Sequence, residues 1–318
     1  MALFFTEEDV SRLLTMEDAL SAVEEAFHEL GMGRGVNRPR SRVKLPGIML
    51  HVMPAGISEG RSLGLKAYTV GREGKARFLF LLFSSETGEL LAVLEADRLG
   101  QMRTGAASGV ATRYMSRPDS TTVGIYGTGW QARSQLRAVS AVRAVRRGVA
   151  YSRNEARRRA FCEEMTRLLS FPVRPVPSPE QVAREAEILI TATTAAEPVL
   201  QGEWLRPGQH INAIGSNFAQ KSEIDEAVVR RANAIAVDSK EQALLECGDL
   251  LGPVSAGVLS WEEVHELGDI VTDKVPGRSR PEDITLFESQ GIAIEDVAVA
   301  LRVYDRGRQQ GVGMPLPF

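Results

Sequence analysis

A turn at residues 121–132 carries the clearest chemical signal in this sequence. Its letters, TTVGIYGTGWQA, pass from an apolar run into glycines and then into a helix-like stretch. The pattern is typical of a dinucleotide-binding unit, in which Gly127 permits a tight turn, Gly129 lets the backbone approach a pyrophosphate and Ala132 keeps the helix close to the strand. Because a diphosphate binds the N–H groups at a helix N-terminus, its predicted contacts are Gly127, Thr128, Gly129, Trp130 and Gln131.

Gly-x-Gly also occurs in ordinary turns, so the surrounding sequence decides between the two interpretations. Further apolar runs, separated by helix-like segments, follow at residues 148–152, 187–193, 210–215 and 234–238. This alternation predicts a doubly wound parallel sheet and therefore an α/β fold with a Rossmann domain. Near the ends of these runs, Thr193, Gly215 and Ser216 are expected to contact the cofactor.

The residues after the second predicted strand bear on the choice of nicotinamide cofactor. An acid there would accept hydrogen bonds from the adenosine ribose, but the chain has Ser152 followed by Arg153. A hydroxyl beside a permanent guanidinium charge suits a 2′-phosphate. We therefore predict that Ser152 and Arg153 favour NADP(H), with NAD(H) as the alternative. A solvated face is the expected place for most of the neighbouring arginines, Arg146, Arg147, Arg157, Arg158 and Arg159.

Composition limits the class of protein. At 318 residues the chain exceeds the usual size of one core, so two domains are expected. The net charge of −3 argues against nucleic acid as a partner. No apolar run approaches the ~20 residues of a membrane span, and the acidic start is unlike a secretory signal. The two cysteines, Cys162 and Cys247, are far apart and lack nearby ligand partners, which indicates a cytoplasmic protein without a metal site.

A separate first domain precedes the glycine turn. Thr6 and Thr15 are placed to cap two helices, since each has an aspartate three residues later. Residues 17–30 have an apolar face and predict an amphipathic helix closed by Gly31. A helix rich in small residues, 99–115, leads into the dinucleotide unit.

Between these helices the pattern changes to strands. Short apolar runs lie at residues 48–53, 62–70, 78–83 and 90–94. Residues 84–88 predict a hairpin turn between the last two. A final helix at residues 291–304 is expected to cross back to the first domain.

Segments spread over nearly the whole chain resemble the ornithine cyclodeaminase and mu-crystallin family. They are VMPA at 52–55, GLK at 64–66, TGELLA at 87–92, QMRTGAA at 101–107, GTGWQA at 127–132, NAIGSN at 212–217 and ITLFESQGIAIED at 284–296. The resemblance implies a Rossmann domain, residues 116–300, inserted in an α+β domain for substrate binding and dimerisation, residues 1–115 and 301–318. It also implies a homodimer, and hydride exchange between a nicotinamide and the α-carbon of an amino acid or its imine.

A substrate carboxylate needs a fixed cation, ideally a guanidinium. By resemblance, Arg103 binds this carboxylate, and its small neighbours favour tight packing over a place on the surface. Arg40 matches another substrate arginine of the family. A shift of two residues in that match would exchange it for Arg38 or Arg42. Thr104 is assigned with the glycine turn to the diphosphate.

Lys66 lies between apolar residues in a predicted strand, where a lysine is costly without a partner or a function. By resemblance it contacts the substrate carboxylate and exchanges protons with the bound amine or imine. Burial or a nearby cation would lower its pKa toward neutrality and make that exchange practical. The alternative is a lysine on an edge strand that faces solvent.

Two positions depart from the pattern of ornithine-specific members. His51 replaces a carboxylate that would hold the distal amine, and Asn217 replaces an aspartate that activates a nucleophile. A neutral amide forms hydrogen bonds but is no general base. We expect Asn217 to help to position the nicotinamide, and His51 to contact the substrate.

Together with the resemblance, these residues predict an NADPH-dependent reductase of cyclic imine carboxylates, pyrroline-2-carboxylate or piperideine-2-carboxylate, that forms proline or pipecolate. The resemblance implies the L configuration of the product. The catalytic residues would be Lys66, Arg103 and Asn217. The alternatives are ornithine cyclodeaminase, an alanine-type amino-acid dehydrogenase and a non-catalytic NADP(H)-binding protein.

Overall fold

The computed structural model describes residues 1–71 and 76–317. The chain divides into two compact units, Met1–Thr104 with Ile292–Phe318, and Gly105–Gly291. Both divisions fall earlier in the chain than the expected domain boundaries at 115/116 and 300/301, which stay a prediction.

The elements in chain order are β1 (Leu3–Phe5), α1 (Glu7–Leu13), α2 (Met16–Gly31), β2 (Gly35–Asn37), β3 (Ser41–Leu45), β4 (Ile48–Ile57), β5 (Ser62–Gly71), β6 (Ala76–Ser84), β7 (Leu90–Glu95), α3 (Asp97–Met115), β8 (Thr122–Tyr126), α4 (Trp130–Val142), β9 (Arg147–Tyr151), α5 (Glu155–Leu168), β10 (Val173–Pro175), α6 (Pro179–Glu185), β11 (Ile188–Thr191), β12 (His210–Ala213), α7 (Glu226–Arg231), β13 (Ala234–Val237), α8 (Lys240–Glu246), α9 (Gly248–Ser255), β14 (Val264–Glu266), α10 (Leu267–Val271), β15 (Thr285–Glu288), α11 (Ala293–Gln310) and β16 (Met314–Pro315). A short 3-10 helix lies at Gly202–Trp204.

The first unit is built on a sheet with the strand order β16-β1-β7-β6-β5-β4-β2, in which β3 also pairs with β4. Neighbouring strands are antiparallel except for β1 beside β7. Burial alternates along β5, where Gly64, Lys66 and Tyr68 are buried and Leu63 is exposed. The helix α11 packs against β4 and β5. The first unit thus has a sheet with one covered face, and Lys66 lies on that face.

The helices of this unit begin as the sequence predicts. Thr6 and Thr15 each accept a hydrogen bond from the backbone of an aspartate that in turn caps the threonine, which forms two complete capping boxes. The amphipathic α2 ends at Gly31, as expected, and α11 belongs to the first unit.

The second unit contains eight parallel strands in the order β10-β9-β8-β11-β12-β15-β13-β14. The strand order reverses between β8 and β11, which is the switch point where open α/β sheets bind ligands. The predicted α/β fold class is confirmed. Sequence analysis missed β10, β14 and β15, which are only three or four residues long.

Candidate active site

The first unit buries a cluster of opposite charges on the covered face of its sheet. Lys66 Nζ on β5 donates to Asp296 Oδ1 on α11 at 3.0 Å. Arg103 on α3 donates from Nε to the same oxygen at 3.2 Å and from Nη1 to Glu295 Oε2 at 2.9 Å. The exposure of these residues is between 0% and 6%. Lys66 therefore does not face solvent on an edge strand, because β5 lies between β4 and β6, and Arg103 does not lie on the surface.

The pKa of Lys66 is lowered from 10.5 to about 8. Burial is the largest cause, because it disfavours the charged ammonium. Asp296 acts in the opposite direction, while the positive charges of Arg103 and Arg40 lower the pKa further. Lys66 is thus protonated at neutral pH but can release its proton within the range of enzyme catalysis.

Arg40 immediately precedes β3, and His51 lies on β4, the strand that pairs with β5. Arg40 is buried and its Nε donates to Met53 Sδ at 3.3 Å. The His51 ring stacks on Tyr68, which lies opposite it on β5, with ring centroids 4.2 Å apart and planes 4° apart. Burial, and then the charges of Arg40 and Arg42, lower the pKa of His51 to about 4. His51 is therefore a neutral imidazole at physiological pH.

The glycine turn of the second unit has the geometry that its sequence predicts. Gly127 has a φ of 100°, and a Cβ there would lie 2.2 Å from Ala192 O, so only glycine fits. Gly129 is the N-cap residue of α4 and has open space where a Cβ would be. Ala132 is fully buried. The first turn of α4 is thus open to an anion at its N–H groups.

The predicted adenosine end is formed by side chains from two loops. Thr128 Oγ1 donates to Ser152 Oγ at 3.1 Å, and Arg153 is exposed. Arg158 is half-buried, donates from Nη1 to Ser152 O at 2.6 Å and places its guanidinium 5.4 Å from the centre of the Tyr151 ring. Arg158 is therefore not on the solvated face that was expected for these arginines. Nothing in the sequence distinguished it from the exposed Arg157 and Arg159.

A buried glutamate missed by sequence analysis ties two predicted cofactor loops together. Glu223 Oε1 accepts from Thr193 N at 2.6 Å, and Oε2 accepts from Gly215 N at 2.7 Å. A Cβ on Gly215 would lie 2.2 Å from Glu223 Oε2. Burial raises the pKa of Glu223 to about 7, against the lowering effect of its hydrogen bonds. The residue lies in a loop and belongs to no motif, so its type and spacing gave no signal.

The remaining predicted site residues lie in different parts of the structure. Ser216 and Asn217 are in the loop after β12, where Ser216 Oγ is 3.3 Å from Phe218 O and from Lys221 O. Asn217 is half-buried. Thr104 lies in α3 at the end of the first unit's N-terminal segment and donates from Oγ1 to Gly100 O at 2.7 Å. Each unit thus gathers its own set of predicted residues.

Two further properties of the described residues concern ligands and membranes. Among residues 1–71 and 76–317, no group of three or more His, Cys, Asp or Glu side chains is arranged to hold a metal ion. Within the same ranges, none of the helices has both the length and the apolar character that crossing a bilayer requires.

The parallel sheet with its glycine turn defines a Rossmann-type dinucleotide-binding protein, and the first unit adds a buried cluster of opposite charges. More particularly, the chain belongs to the ornithine cyclodeaminase/mu-crystallin family, whose model matches residues 2–311. This match confirms the family predicted from the sequence motifs.

Several members of this family with named activities are similar to this chain over most of its length. A Delta(1)-pyrroline-2-carboxylate reductase of Bacillus cereus is 38% identical over 275 residues, which are 84% of each chain. A solved structure of the Thermococcus litoralis Delta(1)-pyrroline-2-carboxylate reductase, in complex with NADH and L-proline, is 36% identical with a TM-score of 0.94 and covers 99% of this chain and 100% of that one. A solved structure of an archaeal alanine dehydrogenase dimer with bound NAD is 34% identical with a TM-score of 0.93 and covers 100% of this chain and 99% of that one. The predicted class, an oxidoreductase of this family, is confirmed.

Proposed function

We propose that this protein reduces small cyclic imines with a carboxylate on the imine carbon, Δ1-pyrroline-2-carboxylate or Δ1-piperideine-2-carboxylate, to L-proline or L-pipecolate. The observation that carries the proposal is that the cations Lys66 and Arg103 are both buried and share Asp296 Oδ1, while His51 on the neighbouring strand is neutral. The names of the reductase relatives support it.

The cations of the cluster suit a substrate with a carboxylate. Arg40, Lys66 and Arg103 are cations, whereas Glu295 and Asp296 are the carboxylates that contact Lys66 and Arg103. Fixed cations at a buried site are the groups that bind a substrate carboxylate most favourably. Arg103 offers a guanidinium, and Lys66 and Arg40 add positive charge.

Lys66 is the proposed proton donor. A bound reduced nicotinamide would supply a hydride to the imine carbon, so that the C=N π electrons move to the nitrogen, which then takes up a proton. The Lys66 ammonium, with a pKa of about 8, can give that proton and regain one from water. Asn217 is proposed to help to position the nicotinamide through hydrogen bonds.

Two residues disfavour ornithine cyclodeamination. Ornithine carries a distal ammonium, and the neutral His51, with Arg40 and Arg42 near it, offers that cation no counter-ion. Asn217 stands where a cyclodeaminase would need a carboxylate base. Both features favour a substrate without a distal positive charge.

NADP(H) is the proposed preferred cofactor. Ser152, Arg153 and Arg158 surround the end of β9 with a hydroxyl and two guanidinium groups. Arginine beside a hydroxyl suits a 2′-phosphate, although the T. litoralis relative was solved with NADH.

A homodimer is also proposed, because the outward face of the first unit's sheet is apolar. Leu50, Leu63 and Leu79 on three adjacent strands are 38% to 48% exposed. An exposed apolar face of this kind is typical of an interface, and the archaeal relative was solved as a dimer.

We retain the cytoplasmic location as a proposal, since both cysteines are free and buried.

The test follows NADPH and NADH oxidation with each cyclic imine, beside an assay for ammonia released from ornithine. Fast NADPH oxidation without ammonia release is expected. Ammonia release sustained by catalytic NAD would refute the proposal and favour cyclodeamination. Absence of turnover with tight NADPH binding would favour the non-catalytic alternative.

A further inference from the structure

Asp296 joins the two cations of the cluster through one oxygen. Oδ1 accepts from both Lys66 Nζ and Arg103 Nε. Oδ2 is buried and has no hydrogen-bond partner among residues 1–71 and 76–317. A buried carboxylate oxygen without a partner is unfavourable for stability. This arrangement indicates a residue retained for a task other than stabilising the fold.

The fold holds Asp296 in place from the far end of the chain. It lies in the first turn of α11, which begins at Ala293. Asn37 Oδ1 on β2 accepts from Ala293 N at 2.9 Å and from Ile294 N at 3.3 Å. The start of α11 is therefore fixed to the sheet that carries Lys66, and the carboxylate is held at a set distance from the ammonium.

We propose that Asp296 is a positioning residue that keeps Lys66 protonated and aligned for proton transfer to the substrate nitrogen. This inference rests on the reductase function proposed above. The charges that face Lys66 are Asp296 from α11, Arg103 from α3 and Arg40 from the segment before β3. Glu295 on α11 binds the Arg103 guanidinium, and His51 on β4 is neutral. Without the negative charge of Asp296, Lys66 would face two arginines, and its ammonium form would be disfavoured.

The direct test is an NMR titration of Lys66 in protein labelled with ¹⁵N at the lysine side chains, without cofactor or substrate. Lys66→Met identifies the resonance. Asp296→Asn is expected to lower the pKa of Lys66 by about 1 to 3, as loss of a neighbouring opposite charge does. Glu295→Gln is the matched control and is expected to lower it less. A pKa of Lys66 that is unchanged in Asp296→Asn overturns the proposal.

The pH dependence of the rate separates positioning from a structural role. Imine reduction needs the ammonium of Lys66, so Asp296→Asn should move the alkaline limb of its kcat profile to lower pH. Amino-acid oxidation needs the neutral amine, so its acidic limb should also move to lower pH. A loss of kcat at all pH values with both limbs in place overturns the proposal. A wild-type protein that reduces no cyclic imine would refute the proposed function and leave the titration result standing.

A second measurement applies if Asp296→Asn does not fold. In wild-type protein labelled with ¹³C at aspartate carboxyls, the Asp296 resonance should shift as Lys66 loses its proton. The same shift should be absent in Lys66→Met. An Asp296 resonance that stays constant through the titration of Lys66 overturns the proposal.

Discussion

Burial of a single lysine links the stability of this protein to pH. The pKa of Lys66 is about 8 in the fold and 10.5 in an unfolded chain, so the unfolded state binds one proton more between these values. Stability therefore rises with pH across this window, by about 3 kcal/mol at most, and Lys66→Met should remove the rise. Urea unfolding of both proteins at several pH values measures the difference. Parallel stability curves for the two proteins would contradict the lowered pKa.

Arg158 gives a prediction about cofactor choice. Its guanidinium is held between Ser152 O and the Tyr151 ring, where it can meet a 2′-phosphate. Arg158→Ala should weaken NADPH binding about tenfold or more, because a hydrogen bond to a charged group contributes ~1.5–3 kcal/mol, and it should affect NADH less. Titration calorimetry with both cofactors measures this, with the exposed Arg157→Ala as control. Equal losses for NADPH and NADH would argue against the proposed preference.

Individual site residues could be predicted from the sequence where a motif contained them or where their position was unfavourable without a function. Lys66 stood out because a lysine between apolar residues needs a partner, and Gly127 because the turn needs a positive φ. Asp296 and Glu223 did not stand out. Their importance depends on partners 230 residues away for Asp296 and on two loop N–H groups for Glu223, which only the folded chain brings together.

At the scale of loops, Glu223 couples the segment after β11 to the segment after β12. Glu223→Gln can accept only one of the two N–H bonds and would turn its amide N–H toward the other. We expect an about tenfold weaker binding of the dinucleotide, since an unsatisfied buried donor costs ~1–3 kcal/mol. Quenching of tryptophan fluorescence by NADPH measures the Kd. The exposed Glu262→Gln is the control, and equal affinity in both variants would show that the loops need no such tie.

Element prediction succeeded where a cap, an apolar helix face or an apolar run marked the element, and it failed where strands were very short or contained polar residues. Capping boxes and an apolar face located α1 and α2, and short apolar runs located β4 to β7. The strand β15 escaped notice although it lies between β12 and β13, because its four buried residues, Thr285–Glu288, include a threonine and a glutamate. A search for apolar runs misses a buried strand whose polar side chains form hydrogen bonds inside the fold. Thr285 Oγ1 is an example, because it donates to Met115 O and accepts from Arg278 Nη2.

For the whole molecule, the outward sheet face predicts the oligomeric state. Leu79→Asp places a charge within the apolar face and should convert the proposed dimer into a monomer, because a buried unpaired charge opposes association. Light scattering after size-exclusion chromatography measures the mass. Leu168→Asp, at a leucine that is 63% exposed on α5, is the control and should remain dimeric. A monomeric wild-type protein would refute the prediction.

The return of α11 to the first unit has a consequence for synthesis on the ribosome. Lys66 and Arg103 leave the exit tunnel long before Glu295 and Asp296 are translated. Until then the covered face of the sheet lacks its helix, and two cations lack the carboxylates that make their burial tolerable. The intervening 187 residues, Gly105–Gly291, form a compact unit that can fold first. A nascent chain thus completes the charged cluster around Lys66 and Arg103 only when the final helix docks.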